Sequence, residues 1–379
     1  MTAGKSEVLC PSDAGWEAAF SGVVHDVYHT AHYHQSPQLG RQGTPFLFVY
    51  REGSHSFLWP YLLTPIESAP AGYFDVTSVY GYAGPVTSVG ATTDDAFIGR
   101  AWAALLDQWR QQGAVSAFTR FHPLIGNSHI LPQLRDVSIT AGDDLSRASG
   151  STVSINLSLD PADQVRQYQK VLRQEIRKAR ELGFTTFRDE EWQHSDDFVR
   201  LYGDTMIRRE GKSEYLIDAE WLQRFRTSLG SSASLFVTMY EGRVASALLA
   251  MEHADFLHAH LTGIDAELVK YSPLKIMLDD VRQWGTNQGL SAFHLGGGLG
   301  GAKDSLFQFK HRFSSCVHDF WIGCWILKRD EYRELESMRR KELEQQGINM
   351  AAGGFFPAYR YQVGVEAKHK DLGATLAHQ

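Results

Sequence analysis

The chain is poor in cysteine, has no long apolar run and carries no excess of positive charge. Its three cysteines, Cys10, Cys316 and Cys324, are scattered over 379 residues. If Cys316 and Cys324 share one strand, eight steps of about 3.3 Å carry them far beyond disulfide reach. Free thiols in a reducing compartment are therefore expected. No uninterrupted apolar run approaches the roughly 20 residues that a membrane helix needs. Met1–Trp16 has no apolar h-region, so no secretory signal is expected and the protein reads as cytoplasmic. Lys and Arg number 37 against 44 Asp and Glu, and the net charge of −7 argues against coating nucleic acid by bulk electrostatics. A local basic patch remains compatible with that balance.

Catalytic signatures are also sparse. No Ser-His-Asp, Cys-His or paired-carboxylate pattern occurs, so covalent catalysis is not indicated. His25, His29, His32 and His34 cluster, but without an HExxH pattern or cysteine partners; among 16 histidines chance clustering accounts for them, and no metal is expected.

What is present is a globular composition, 43% apolar and 12% aromatic, at a length that suits two domains. The small polar stretch Thr140–Thr152 is the best linker and divides the chain into 1–145 and 146–379. Trp16–Val27 reads as a helix, Pro45–Tyr50 and His55–Leu63 as a hairpin, and Tyr73–Val79 and Val115–Thr119 as strands. Between the latter two, Asp94-Asp95 open a helix with Phe97, Ala101, Leu105 and Trp109 on one face. In the second part Val153–Leu159 is strand-like, and Asp160-Pro161 start a helix reaching Leu182. Asp196–Arg209 and Ala219–Leu229 read as helices. Leu235–Tyr240, Arg243–Met251 and Phe256–Thr262 form a meander, Ser272-Pro273 open a helix that ends at Gly289, and Cys316–Leu327 is a buried strand. The class is α/β (α+β), with mixed sheets flanked by helices.

Two features carry chemistry. In the helix after Pro161, Arg166, Lys170, Arg173, Arg177 and Arg180 recur at spacings of three and four, one stripe beside the apolar face. It is either a solvated face or a local phosphate site. The second is Ala292–Phe313. An apolar run stops at Gly296-Gly297-Gly298-Leu299-Gly300-Gly301, and after Asp304-Ser305 come Leu306, Phe309, Lys310 and Phe313. The glycines satisfy G-x-G-x-x-G, but too little chain follows for a dinucleotide fold. They fit close approach of a ligand or another backbone. Lys310 can be a surface charge, which composition alone favours, or a proton donor in a dry site that stabilises an oxyanion.

Tyr271-Ser272-Pro273, then His294-Leu295-Gly296-Gly297-Gly298, then Asp304-Ser305-Leu306-Phe307-Gln308-Phe309-Lys310-His311-Arg312-Phe313 resemble the FemABX-like branch of the GNAT acyltransferase superfamily. Gly84-Pro85-Val86, Thr205-Met206-Ile207-Arg208 and Phe355-Phe356-Pro357-Ala358-Tyr359-Arg360 add to the likeness, which is best over about 150–325. The resemblance implies two GNAT-like domains in tandem, the first (1–145) diverged and on the acceptor side. It also implies transfer of an amino acid from aminoacyl-tRNA to an amine, on a peptidoglycan precursor or a small natural product. No metal or tightly bound cofactor is implied. Carried over, Lys310 stabilises the tetrahedral intermediate and Phe309 shapes the pocket, with Asp304 and His294 beside it. Arg208 and the stripe Arg173, Arg177 and Arg180 face phosphates, and Tyr80, Tyr82 and Tyr215 line the acceptor cleft. No coiled-coil arm is expected, since no heptad run lies between Phe184 and Leu235. The Q/R-x-x-G-x-G/A loop that holds CoA in ordinary GNAT enzymes is missing, and Lys270-Tyr271-Ser272-Pro273 takes its place. An acyl-CoA donor on the same fold is the alternative, and a non-catalytic module for an anion or nucleotide-sugar is the third reading.

Overall fold

The structure, a computed structural model, describes residues 4–39, 42–88, 94–136, 144–209, 211, 213–348 and 355–361. In chain order they form β1 (Lys5–Leu9), α1 (Gly15–Ala19), α2 (Ala31–Gln35), β2 (Thr44–Glu52), β3 (His55–Pro65), β4 (Phe74–Thr77), β5 (Val86–Thr87), α3 (Asp95–Gln111), β6 (Ala114–Arg120) and α4 (Leu131–Asp136). Next come β7 (Arg147–Asn156), α5 (Pro161–Arg166), α6 (Lys170–Glu181), β8 (Thr185–Arg188), α7 (Ser195–Arg208), α8 (Ala219–Leu229) and the meander β9 (Ala233–Tyr240), β10 (Arg243–His253) and β11 (Phe256–Ile264). The chain continues through α9 (Pro273–Asn287), β12 (Ala292–Gly297), α10 (Ser305–His311), β13 (Val317–Ile326) and α11 (Arg329–Gln345).

These elements make two compact units, one of residues 1–24, 42–148 and 320–379, the other of 25–41 and 149–319. Both are discontinuous, whereas the expected division was a single cut between 145 and 146. Residues 25–41 go with the second unit and 320–379 with the first, and the chain passes between units inside β7 and inside β13. Residues 140–143 of the expected linker lie outside the described residues, and 147–152 belong to a strand.

The first unit is a mixed sheet in the order β1-β2-β3-β4-β6-β13, with β5 beside β3 and β4 parallel to β6. α3 forms where its periodicity predicts. The Asp94 carboxylate caps it by accepting from Phe97 N at 2.9 Å, and Phe97, Ala101, Trp102, Leu105 and Trp109 are buried. Trp102 stacks on Trp59 at 5.5 Å between centroids, and Trp109 and Trp325 close around that pair. The segment 355–361 is anchored by charge. Asp75 of β4 accepts from Ser116 (2.7 Å) and Tyr359 (2.5 Å), and its other oxygen from Arg360 (2.6 Å). One expectation shortens here. The helix Trp16–Val27 is only α1, because the chain turns through Gly22 in the left-handed region (φ 71°) and passes to the other unit after residue 24.

The second unit orders its strands β7-β12-β11-β10-β9-β8, with β11 and β12 parallel and the other pairs antiparallel. On one face Phe293, Leu295, Leu257 and Val153 pack with Leu172, Met277, Phe307 and Phe313 of the helical segments. Alternation sends His258, His260 and His294 to the other face, where Tyr33 of α2 and Phe225 of α8 meet His260. The helix expected over 160–182 is two, broken at Gln167–Gln169. Gln169 N donates to Arg312 O (2.9 Å), and the buried Gln164 side chain binds Leu157 O, Leu159 O and Arg282. These tertiary bonds outweigh helix continuity. Between Phe184 and Leu235 stand α7 and α8, of 14 and 11 residues, and no coiled-coil arm occurs among the described residues. No described helix is long and apolar enough to cross a membrane. All three cysteines are free thiols.

Truncating Trp102 to Ala removes the centre of the tryptophan cluster and is expected to cost about 3–5 kcal/mol. Urea unfolding followed by tryptophan fluorescence measures it, and a loss under about 1 kcal/mol would show that the cluster does not hold the first unit's core.

Candidate functional site

β11 and β12 pair only from Phe256–Ala292 to His258–His294. Beyond that point β11 runs on to Ile264 beside β10, and β12 runs on to Gly297 beside β7. The two parallel strands therefore part, and His258 and His294 stand where the arms of the fork begin.

A basic side chain is fixed to each arm. On the β11 arm, Thr205 Oγ1 accepts from Ile264 N (3.1 Å), and Arg208 donates to Ile264 O and to Thr205 Oγ1, both at 3.0 Å. The last turn of α7 is thereby tied to the end of β11. On the β12 arm, Lys310 Nζ donates to Gly297 O at 2.6 Å. Gly296 lies in the left-handed region (φ 78°), and a Cβ there would stand 3.2 Å from Nζ. Only glycine gives this backbone and this clearance without strain.

α10 aims Lys310. Asp304 caps it with Oδ1 on Phe307 N (2.9 Å), and its Oδ2 accepts from Leu299 N (2.9 Å). A Cβ on Gly298 would run into Ala302 O and Asp304 Oδ1, so part of the glycine run serves its own loop and not a ligand. With Phe307 and Phe313 held in the core, the next turn presents Lys310 to the strand end. Phe309 is half-buried and meets Phe313 edge-on at 5.7 Å.

Burial lowers the Lys310 pKa from the usual 10.5 to about 8; nearby Arg209 pushes it the same way, and Asp304 opposes. The Arg209 guanidinium is itself pulled down by desolvation and by Arg208, again against Asp304. It stays charged at neutral pH. Two cations, Arg209 and Lys310, thus act around one carboxylate, Asp304, and Arg208 adds its charge beside Arg209, a local positive site in an acidic chain. Arg209 was missed from sequence. Its only signal there was adjacency to Arg208, since no periodicity links either residue to Lys310.

His294 is buried behind this point, 3% exposed, with Nδ1 3.3 Å from Nδ1 of His258, and His258 Nε2 is 2.7 Å from Asp26 Oδ2. Neither Asp26 nor His258 stood out in the sequence, because 232 positions separate them.

The remaining expected residues lie elsewhere. Arg166 is not on the stripe, for it sits on α5, paired with Asp163. Arg180 is braced by Asp279 (2.9 Å) and Asp280, inside a network that also holds Tyr168 and Arg282. Arg177 reaches Glu181 at 3.6 Å, and both Arg173 and Arg177 are exposed. Tyr215 is half-buried, and its carbonyl accepts from Tyr202 (2.9 Å). Tyr80 and Tyr82 belong to the first unit, where Tyr82 meets Phe320 at 5.5 Å and burial raises its phenol pKa. Lys310 and the other expected residues belong to the second. At the start of α9, Tyr271 packs on Phe184 and Tyr240, each at 5.8 Å.

Residues 166–310 match the family described as Acetyltransferase (GNAT) domain. No curated protein matches the chain. Among solved structures, FemX is 13% identical, with 86% of this chain and 99% of FemX covered and a TM-score of 0.67. L-PGS from Bacillus licheniformis is 13% identical over 84% of this chain and 93% of its own, with a TM-score of 0.51. A conserved protein of unknown function from Bacteroides thetaiotaomicron VPI-5482 is 8% identical over 86% and 100%, with a TM-score of 0.50. At these identities the likeness is one of fold.

The charge arrangement around Lys310 is directly testable. Competitive labelling of its ε-amine against pH should report a pKa near 8. Asp304→Asn keeps the cap but removes the opposing charge and should lower that value further, whereas Arg209→Gln should raise it. A wild-type value near 10.5 would contradict the buried placement.

Proposed function

We propose that this chain, an acyltransferase with a GNAT domain and the FemX fold, joins an amino acid from aminoacyl-tRNA to an amine, forming an amide bond. The observation that carries this reading is Lys310: a lysine with its pKa lowered to about 8, fixed at the end of one arm of a strand fork. An amine attacking an aminoacyl ester produces a tetrahedral centre whose oxygen carries negative charge. An ammonium has three donors, and one is engaged by Gly297 O. The others are free to turn toward a developing oxyanion, in a setting dry enough for the charge to count. Collapse of the intermediate breaks the ester C–O bond and leaves the new amide.

The choice of donor rests on two supports. The sequence lacks the glycine loop for a CoA pyrophosphate, and the segment in its place packs Tyr271 among Phe184 and Tyr240. Arg209 adds positive charge beside Lys310, and Arg208 beside Arg209, suited to the phosphates of an RNA acceptor end. Exposed Arg173 and Arg177 extend that role, while Arg180 serves the fold through Asp279 and Asp280. The acceptor is a small amine or a peptidoglycan precursor, as the FemABX-like resemblance implies. Tyr215 keeps its proposed role toward the acceptor, and the same role for Tyr80 and Tyr82 rests on the FemABX-like resemblance alone.

A donor screen read by mass spectrometry tests this. Charged tRNA should support acylation of the amine, and ribonuclease should abolish it. Product that survives ribonuclease but requires an acyl-CoA would replace the donor, and absence of product with either would leave a binding module.

The pH dependence follows from the protonated form of Lys310. Lysine is charged below its pKa, so kcat/KM should fall as pH rises through about 8. Lys310→Arg, charged throughout, should move that fall to higher pH. Lys310→Met should reduce kcat about 100- to 1,000-fold with little change in KM for charged tRNA. A wild-type rate in Lys310→Met would remove Lys310 from the reaction.

A further inference from the structure

A cavity of about 360 Å³ lies in the second unit, at the edge of its sheet where β8 ends and β9 begins. This is the end of the strands away from the fork. Ala233, which opens β9, pairs with Met251 of β10, whereas Ile264, which closes β11, pairs with Ser246. From Ser246 to Met251 the sheet runs about 17 Å, at roughly 3.3–3.4 Å per residue. An occupant of the cavity leaves the space beside Lys310 untouched.

The walls carry charge of both signs, kept apart. Arg188, at the end of β8, and Arg226 of α8 line the cavity, and so does Glu190. Among the described residues none of these three stands in an ion pair, although opposite charges share one cavity. Arg188 lies over the Trp284 ring, 5.4 Å from its centroid, and its charge also acts on Glu252. Arg226 lies over the Trp192 ring at 5.1 Å. A guanidinium resting on a ring keeps its N–H edges for a carboxylate.

Trp192 is held on this wall against its backbone preference. Its φ of 59° is left-handed, a conformation that glycine takes freely and a bulky residue rarely adopts. Asp189 holds the turn. Its N–H donates to Leu235 O (2.8 Å), its carbonyl accepts from Trp192 N (3.1 Å), and its Oδ2 accepts from His194 N (2.7 Å). Ser195 Oγ donates to Trp192 O at 2.7 Å. Trp192 is 8% exposed and supplies the cavity with an aromatic wall beneath Arg226. Strain of this kind persists where the placement of the side chain has a task.

We propose that this cavity binds a free α-amino acid as its zwitterion. The carboxylate goes to Arg226, with Arg188 adding charge, the ammonium goes to Glu190, and the side chain lies against Trp192. A simple anion would be opposed by Glu190, and a simple cation would meet two guanidiniums. An occupant carrying both signs satisfies each wall, and the volume lies in the range of small-molecule sites. Gln223 on the same wall offers an amide to the polar end of the ligand. The site uses none of the residues assigned to transfer, so it stands apart from the amide-forming reading.

Isothermal titration calorimetry of the full chain with each of the twenty standard L-amino acids tests it. At least one should bind with a Kd below about 1 mM. Its methyl ester, which lacks the carboxylate charge, and its N-acetyl derivative, which lacks the ammonium, should each bind about 10-fold more weakly or worse. Arg226→Met and Glu190→Gln should weaken the amino acid by a similar factor with circular dichroism unchanged, and Arg226→Lys should keep part of the affinity. Lys310→Met should bind as wild type does. No amino acid binding below about 1 mM overturns the proposal. So does affinity that survives a folded Arg226→Met, or that vanishes in Lys310→Met, which would place the ligand at the fork. Inorganic phosphate or the N-acetyl derivative binding as tightly as the amino acid would make this an anion site and overturn it as well. No transfer assay enters, so failure of the amide-forming reading leaves these outcomes as they are.

Discussion

The parting of β11 from β12 after His258 and His294 is the constraint on which the site depends. Two adjacent parallel strands normally satisfy each other's backbone groups. Where they diverge, those groups need other partners. Here the chain supplies them from helices on either side: Arg208 at the end of α7 takes Ile264 O, and Lys310 of α10 takes Gly297 O. A requirement of backbone hydrogen bonding thus brings cations to the mouth of the fork. Asp304 offsets the repulsion between Lys310 and Arg209 while doing separate work as a helix cap.

Placing charge so close to a sheet has a cost that the pKa of Lys310 registers. Desolvation disfavours the ammonium, yet its value near 8 leaves the charged form dominant at neutral pH. The same chain handles other internal charge differently. Asp75 is neutralised by Arg360 and hydrogen-bonded by Ser116 and Tyr359, and Asp279 by Arg180, Arg282 and Tyr168. Those networks are closed and hold segments together. The Lys310 group has more cations than carboxylates, and that imbalance separates a site from a brace.

Much of the fold was legible because local signals agreed with the final packing. α3 has a capping aspartate, an apolar face and a terminating glycine, and the meander β9–β11 alternates with turns between its strands. Sequence reasoning erred where a distant partner decided the outcome. The helix predicted over 160–182 breaks because Gln164 and Gln169 bond to segments far along the chain. The cationic stripe loses Arg180 for the same reason: it looked equivalent to Arg177 until Asp279, about a hundred positions on, claimed it. Lys310 stood out as a lysine among phenylalanines, but only a family resemblance favoured it over a surface charge, its burial being invisible in spacing. Arg209 was marked only by its neighbour Arg208, and Asp26 and His258 carried no local mark at all.

The interleaving of the two units bears on the order in which the protein can be made. The first unit opens the chain, but Trp325 belongs to its tryptophan cluster, and Tyr359 and Arg360 complete the cluster around Asp75. None of these exists until the second unit, which ends at residue 319, has been synthesised in full. On the ribosome the later-numbered half therefore has its whole sequence first, while the earlier half waits with β3 and α3 unable to bury Trp59 and Trp102 completely. A chain stopped near residue 319 would keep the fork, Lys310 and the buried histidines, but would leave the first unit's aromatic core open.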